Sequence, residues 1–70
     1  QEERYIRQIF ARLEWLGENP RFGREREDIA PGYRSFPEGR HVIFYLTLDG
    51  FIDIVGIAHS ARDILNYFEE

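Results

Sequence analysis

Residues 29–45 read IAPGYRSFPEGRHVIFY, and this stretch decides the fold. It predicts one strand over residues 33–36, a tight turn on residues 37–39 and a longer strand from Arg40 to about Leu48. Two strand-like runs separated by a few residues that include glycine are typical of a β-hairpin. The longer run is apolar on both faces, and such strands lie inside a sheet with something packed on each side. We therefore place it at the centre of the sheet.

A third strand follows directly after the hairpin. Asp49-Gly50 is a strong two-residue turn signal, and residues 51–58 then read FIDIVGIA, with apolar residues available for both faces. Gly56 interrupts this run, which indicates a bulge or the close approach of another backbone. Three such strands in succession predict an antiparallel meander.

An amphipathic helix is predicted over residues 2–16, ahead of the strands. Its apolar residues recur at three- and four-residue spacing and form one stripe, made of Ile6, Ile9, Phe10, Leu13 and Leu16. Gly17 ends the predicted helix shortly before Pro20. Trp15 lies off the centre of the stripe. It either covers the edge of the helix–sheet contact or forms, with Tyr5, a second contact face.

The two remaining segments complete an α+β fold. Residues 19–30 are predicted to be a polar connector whose alternating charges neutralise one another, with Phe22 and Ile29 anchoring its ends in the core. Ser60, with Asp63 three residues later, resembles a capping box and predicts a short C-terminal helix. The predicted fold is therefore a meander of three visible strands, with a long helix packed on one face and a short helix at the end.

Composition limits the classes of function. The chain has 70 residues, no cysteine and a formal net charge of −4. Without cysteine there is neither a disulfide framework nor a thiolate metal site, which suits a reducing compartment such as the cytoplasm. A negative net charge argues against a general nucleic-acid binder, which would show a basic face. No apolar run is long enough to cross a bilayer.

Few side chains are candidates for catalysis. The chain has two histidines, His41 and His59, no metal-ligand spacing and no glycine-rich phosphate loop, so we expect neither a metal nor a cofactor. His59 ends the third strand, and together with Ser60, Arg62 and Tyr45 it could form a small polar cluster. A capped helix beside a half-buried imidazole is the simpler interpretation of these residues.

The order of residues resembles that of proteins in the ParE branch of the RelE/ParE superfamily. Members of this superfamily are bacterial toxins of type II toxin–antitoxin modules. The matching pattern comprises Asn19-Pro20, Gly23-Arg24, Asp28-Ile29, residues 31–36 (PGYRSF), Gly39, residues 41–45 (HVIFY), His59 and Arg62-Asp63. The resemblance covers nearly all of the chain and implies a single toxin domain over residues 1–70. Family members usually begin with a strand and a helix before this segment. The resemblance therefore implies that a fourth strand and a first helix are missing from the N-terminal side.

The resemblance also implies a function. ParE-like proteins are associated with poisoning DNA gyrase by binding it, so we expect a binding protein rather than an enzyme. We also expect a cytoplasmic complex with a ParD-like antitoxin whose C-terminal segment wraps the toxin, and no direct sequence-specific binding of nucleic acid. Many ParE-like sequences carry arginine where this chain has Gly56, and we expect weakened toxicity if that arginine contributes to it.

Two alternatives to a gyrase poison stay open. One is a ribosome-dependent mRNA endonuclease of the RelE type, which needs an acid/base pair and cations for the charge of the transition state. This chain instead has Val42 and Ile43 on its central strand, where a ribonuclease would be expected to show charge. The other alternative is a degenerate toxin kept only as a protein-binding module.

Two surfaces follow from this reading. Three strands and one helix would leave apolar sheet residues uncovered, and arginines beside them would meet acidic residues of the antitoxin. The predicted antitoxin contacts are Arg34, Arg40, Ile43, Tyr45, Val55, Ile57 and Arg62. An exposed aromatic pair beside an arginine is typical of an interface anchor. The predicted contacts to the toxin's target are His59, Arg62, Tyr67 and Phe68.

Overall fold

The fold is that of a computed structural model, which describes residues 2–59. Its elements in chain order are helix α1 (Glu2–Glu18), a 3-10 turn (Pro20–Phe22) and strands β1 (Arg24–Glu25), β2 (Tyr33–Glu38), β3 (His41–Leu48) and β4 (Phe51–Ala58). The strands form one antiparallel sheet in the order β1-β2-β3-β4. The α+β class is confirmed. The predicted C-terminal helix, with its cap at residues 60–63, lies outside the described residues.

Strand β3 lies inside the sheet, as predicted, and is buried on both faces. Ile43, Phe44 and Tyr45 have no exposed surface. Ile43 and Tyr45 pack with Leu16 of α1 to form the core on the helix side. Because side chains alternate along a strand, Phe44 points to the opposite face, where it pairs across the strands with the small residue Ser35.

The first hairpin turns two residues later than predicted. Strand β2 continues to Glu38, and the two-residue loop is Gly39-Arg40 rather than residues 37–39. Gly39 has a φ of +61°, the conformation that a II′ hairpin requires at the first loop position and that glycine adopts without strain. Pro37 fits inside β2 because β1 pairs only with Arg34 and Ser35, so no described strand needs the missing N–H of the proline.

The fourth strand of the described sheet comes from the connector, where we expected only a loop. Arg24 and Glu25 form β1 and pair with β2, and two residues are too few for any periodic sequence signal. The alternating charges do partly neutralise one another. Arg26 donates two hydrogen bonds to Asp28, at 3.0 and 2.8 Å, and these bonds lower the pKa of the Asp28 carboxyl. The strand expected before residue 1 stays a prediction.

A bulge in β4 confirms the interpretation of Gly56. Gly56 is the register partner of Phe44, whereas the next residue of β3, Tyr45, is opposite Ile54. Strand β4 therefore contains one extra residue, Val55. The extra residue shifts the alternation of side chains by one position after Val55. Apolar residues on either side of Val55 can therefore face α1, although their positions in the sequence do not differ by a multiple of two.

Helix α1 continues through Gly17 to Glu18, two residues beyond its predicted end. The sheet leaves part of its apolar stripe uncovered. Leu16 is fully buried and Leu13 packs against the core, whereas Ile6 is 52% exposed and Phe10 is 64% exposed. Within residues 2–59, no helix is long and apolar enough to span a bilayer.

Trp15 covers the edge of the helix–sheet contact, the first of its two predicted roles. Its ring lies 5.6 Å from that of Phe36 on β2 and 4.9 Å from that of Phe22 in the 3-10 turn. Phe22 was predicted to anchor the connector in the core, and this was wrong, since it is 64% exposed and meets Trp15 edge-on. Ile29, at the other end of the connector, is half-buried.

Candidate functional site

An open groove of about 490 Å³ lies where the start of α1, the β2–β3 turn and the end of β4 meet. We refer to it as the histidine groove, and its lining residues are Arg4, Tyr5, Ile6, Gln8, Arg40, His41 and His59. The two histidines, which the sequence placed on different strands, have ring centroids 5.1 Å apart in an edge-to-face arrangement. Strands β3 and β4 are antiparallel neighbours, so the start of one and the end of the other share one edge of the sheet.

Tyr5 connects α1 to the β2–β3 turn and holds His41 in place. Its hydroxyl donates to the carbonyl oxygen of Glu38 at 3.0 Å and accepts from the backbone N–H of Arg40 at 2.9 Å. The same oxygen lies 2.6 Å from Nδ1 of His41. The Tyr5 hydroxyl is thereby occupied within the chain, and the suggestion that Tyr5 belongs to a second contact face stays a prediction.

Two of the predicted antitoxin contacts are inaccessible. Ile43 and Tyr45 were expected to form uncovered apolar surface, but both are fully buried beneath α1. This expectation failed because the alternation of residues along a strand shows only that the two side chains lie on the same face. It does not show which face of the strand the helix covers. Ile57 is 38% exposed and Val55 is half-buried, so part of the predicted surface is accessible at β4.

The predicted arginine contacts fall in different environments. Arg34 donates to the carbonyl oxygen of Gly23 at 2.6 Å and lies 3.4 Å from a carboxylate oxygen of Glu25, with only 18% of its side chain exposed. It thereby holds the connector against β2. Arg40, in contrast, is exposed and lines the histidine groove. Arg62 lies outside the described residues.

The predicted target contacts are described at one position only. His59 is exposed at the end of β4, whereas Arg62, Tyr67 and Phe68 lie outside the described residues. The small polar cluster predicted around His59 does not include Tyr45. The Tyr45 hydroxyl donates to the carbonyl oxygen of Pro20 at 2.7 Å, on the side of the 3-10 turn. Burial raises the pKa of Tyr45.

A second accessible surface runs along α1. We refer to the exposed part of the apolar stripe, Ile6 and Phe10, as the helix stripe. An open depression beside Phe10 is lined by Arg7, Phe10, Ala11, Leu13 and Glu14. Sequence periodicity identified these apolar residues but assigned them all to the core, because it shows which side of a helix is apolar and not how much of it is covered. Among the described residues, no group of three or more potential metal ligands converges.

Comparison with known proteins identifies the family. The family model described as "ParE toxin of type II toxin-antitoxin system, parDE" matches residues 1–64. The chain belongs to the ParE toxin family. The match includes α1, the four strands and every described residue of the histidine groove and helix stripe.

Similar proteins carry the same family name. The chain is 38% identical over 65 residues to Toxin ParE1 of Mycobacterium tuberculosis (strain H37Rv), which is 91% of this chain and 66% of that protein. It is 31% identical over 59 residues to Toxin ParE1 of Caulobacter vibrioides, which is 84% of this chain and 60% of that protein. This ParE-family chain therefore spans less than two thirds of the length of each of these relatives.

Proposed function

We propose that this ParE-family chain is the toxin component of a type II toxin–antitoxin module and acts by binding proteins. Its target in this proposal is DNA gyrase, and a ParD-like antitoxin neutralises it. The observation that carries a binding role is the helix stripe. Ile6 and Phe10 lie four residues apart on α1, so they are neighbours on one face, and both are more than half exposed.

The helix stripe suits a protein partner. Single exposed apolar residues are common on soluble proteins, but adjacent ones rimmed by charged residues are typical of interaction sites. Arg7 and Glu14 line the depression beside Phe10 and supply such a rim. We infer that an apolar segment of the antitoxin covers this stripe, in place of the buried Ile43 and Tyr45.

A matched pair of substitutions tests the helix stripe. Phe10→Ser removes a 64% exposed ring from the stripe, and Phe51→Ser removes a 60% exposed ring from the start of β4. Aromatic interface anchors contribute about 2 kcal/mol or more, so Phe10→Ser should weaken antitoxin binding at least about tenfold in calorimetric titrations. Phe51→Ser should leave it unchanged, and equal losses in both variants would contradict the proposal.

Antitoxin binding should also raise the melting temperature of the toxin, because a ligand that binds only the folded state stabilises it by mass action. Thermal unfolding of the toxin with increasing antitoxin gives this measurement. A toxin that melts at the same temperature with and without the antitoxin would argue against this role.

The target requires a separate experiment. Induction of the toxin in cells should trap gyrase on DNA and activate a DNA-damage reporter, and addition of the antitoxin should reverse both effects. Primer extension on cellular mRNA should show no new cuts. Codon-phased cuts that disappear in His59→Ala would replace gyrase poisoning with the endonuclease alternative.

A further inference from the structure

The histidine groove shares only Ile6 with the helix stripe, and the proposed function assigns it no ligand. We propose that it binds a tetrahedral phosphate-type oxyanion, namely the phosphate group of a phosphate ester. Four cationic or potentially cationic side chains converge there from separate elements. Arg4 comes from α1, Arg40 from the β2–β3 turn, His41 from β3 and His59 from the end of β4.

The groove is electropositive although the chain as a whole is negative. Within residues 2–59, no acidic side chain lines it, and neither Arg4 nor Arg40 forms an ion pair. Glu38 is close in sequence, but its carboxylate accepts a hydrogen bond from Arg12 at 2.7 Å and lines a different depression. An anion that enters the groove therefore meets arginine side chains whose positive charge is not neutralised by any carboxylate within residues 2–59.

His41 is held in place by Tyr5. The Tyr5 hydroxyl oxygen lies 2.6 Å from Nδ1 of His41, 3.0 Å from the carbonyl oxygen of Glu38 and 2.9 Å from the backbone nitrogen of Arg40. These contacts fix the ring orientation before any ligand arrives, which lowers the entropic cost of binding.

The arrangement of donors favours a tetrahedral anion over a carboxylate. A planar carboxylate is satisfied by the fork of one arginine, which donates two parallel hydrogen bonds. Here two arginines and two histidines from α1, the β2–β3 turn and the ends of β3 and β4 line the groove, and Gln8 adds an uncharged side-chain amide. Donors that approach from several directions suit a group with three or four oxygens. Such a group is a phosphate monoester or a phosphodiester.

Charge-neutralising substitutions test the site in the full chain. Arg40→Gln and Arg4→Gln remove groove cations, and Arg24→Gln removes the same charge from exposed β1 as a matched control. Hydrogen bonds to charged groups contribute about 1.5–3 kcal/mol, so each groove variant should weaken binding of inorganic phosphate by about tenfold or more. Arg24→Gln should change it less than about twofold, since an exposed distant charge contributes little.

The measurement is a nuclear magnetic resonance titration that follows the ring signals of His41 and His59, and thermal unfolding of each variant confirms that it folds. Three probes are compared, namely inorganic phosphate, a short single-stranded RNA and a glutamate-rich peptide. Saturable shifts with phosphate support the proposal and identify a free phosphate group as sufficient. Saturable shifts with RNA at lower concentration support it and identify a phosphodiester as the source.

Three results would overturn the proposal. The first is saturation by the glutamate-rich peptide alone, which would make the groove a carboxylate site. The second is an equal loss of phosphate binding in Arg24→Gln and Arg40→Gln, which would indicate attraction by overall charge only. The third is the absence of ring shifts with phosphate and RNA in a folded protein. None of these results changes the outcome expected for Phe10→Ser, since Phe10 does not line the groove, so the proposed function is tested independently.

Discussion

The hydroxyl of Tyr45, on the central strand, lies 2.9 Å from the backbone nitrogen of Gly23 and accepts its hydrogen bond. The same hydroxyl donates to the carbonyl oxygen of Pro20. One buried side chain therefore satisfies two backbone groups of the segment that links α1 to β1. Gly23 has an ordinary extended conformation there, so the close approach of the tyrosine ring, not the backbone angle, favours glycine.

Gly23→Ala should destabilise the fold. An added Cβ would overlap the Tyr45 hydroxyl, and overpacking of a filled site costs about 1–3 kcal/mol. Urea unfolding at neutral pH gives the change in free energy. Gly17→Ala is the control, because nothing lies within 4 Å of its added Cβ and alanine should stabilise α1 by about 0.5–1 kcal/mol. A Gly23→Ala variant as stable as the parent would contradict the close packing.

Tyr45→Phe should weaken the fold and change its response to alkaline pH. The substitution leaves the buried Gly23 N–H without its acceptor, at a cost of about 1–3 kcal/mol. Burial is the main cause of the raised pKa of Tyr45, and the Gly23 hydrogen bond and the charge of Arg34 oppose it.

The direction of the pH effect follows from that raised pKa. A folded-state pKa above the unfolded value of about 10 means that the stabilisation is complete below pH 10 and is lost as the pH rises further. Denaturant unfolding of parent and variant at about pH 9 and above pH 10 should therefore show a steeper loss of stability in the parent. If parent and variant lose the same amount of stability between these pH values, ionisation of Tyr45 is not the cause of the loss.

Arg12→Gln should destabilise the protein more than Arg7→Gln. Arg12 Nε lies 2.7 Å from the Glu38 carboxylate, and its guanidinium carbon is 4.8 Å from the Trp15 ring centroid, in a partly buried site. Loss of the charge-assisted bond and the cation–π contact should cost about 1–2 kcal/mol. Arg7 and Glu3 are separated by 3.8 Å with about four fifths of each side chain exposed, so Arg7→Gln should change stability by less than about 0.5 kcal/mol. Thermal unfolding compares the two variants, and equal losses of stability would contradict a larger contribution from the Arg12 contacts.

Gly56→Arg should increase toxicity if the resemblance to ParE-like sequences, which implies arginine at this position, extends to function. Gly56 is the register partner of Phe44, beside the bulge, so the new side chain would extend from the sheet face opposite α1. Growth after induction and gyrase trapping are the measurements. Gly56→Gln adds a long polar stem without the charge and should remain near the parent. An Arg variant no more toxic than the Gln variant would favour the degenerate binding module.

Local signals predicted most of the sheet. The central place of β3 followed from apolar residues on both faces, the second hairpin from Asp49-Gly50 and the bulge from Gly56. Each of these features depends on a few adjacent residues, because strand burial, turn conformation and register are set locally. Strand β1 was missed because it is two residues long and forms only by pairing with β2.

The candidate site was much less predictable than the fold. Tyr5 and His41 are 36 residues apart, and their contact depends on how α1 crosses the sheet, which no local pattern encodes. The helix stripe was assigned to the core because Ile6 and Phe10 share the apolar period of α1, although the sheet leaves both of them exposed. Which residues of α1 the sheet covers depends on how the helix and the sheet pack together, so it cannot be read from the sequence of the helix alone.

The proline inside β2 has a consequence for self-association. Strand β1 pairs with Arg34 and Ser35 only, and no described strand pairs with the outer side of β2 from Phe36 to Glu38. An open strand edge is a template on which a second molecule can add its own strand. Pro37 offers no N–H along this edge and so interrupts the ladder that such an addition would need. The short outer strand and the proline together discourage the addition of a second copy at this edge of the sheet.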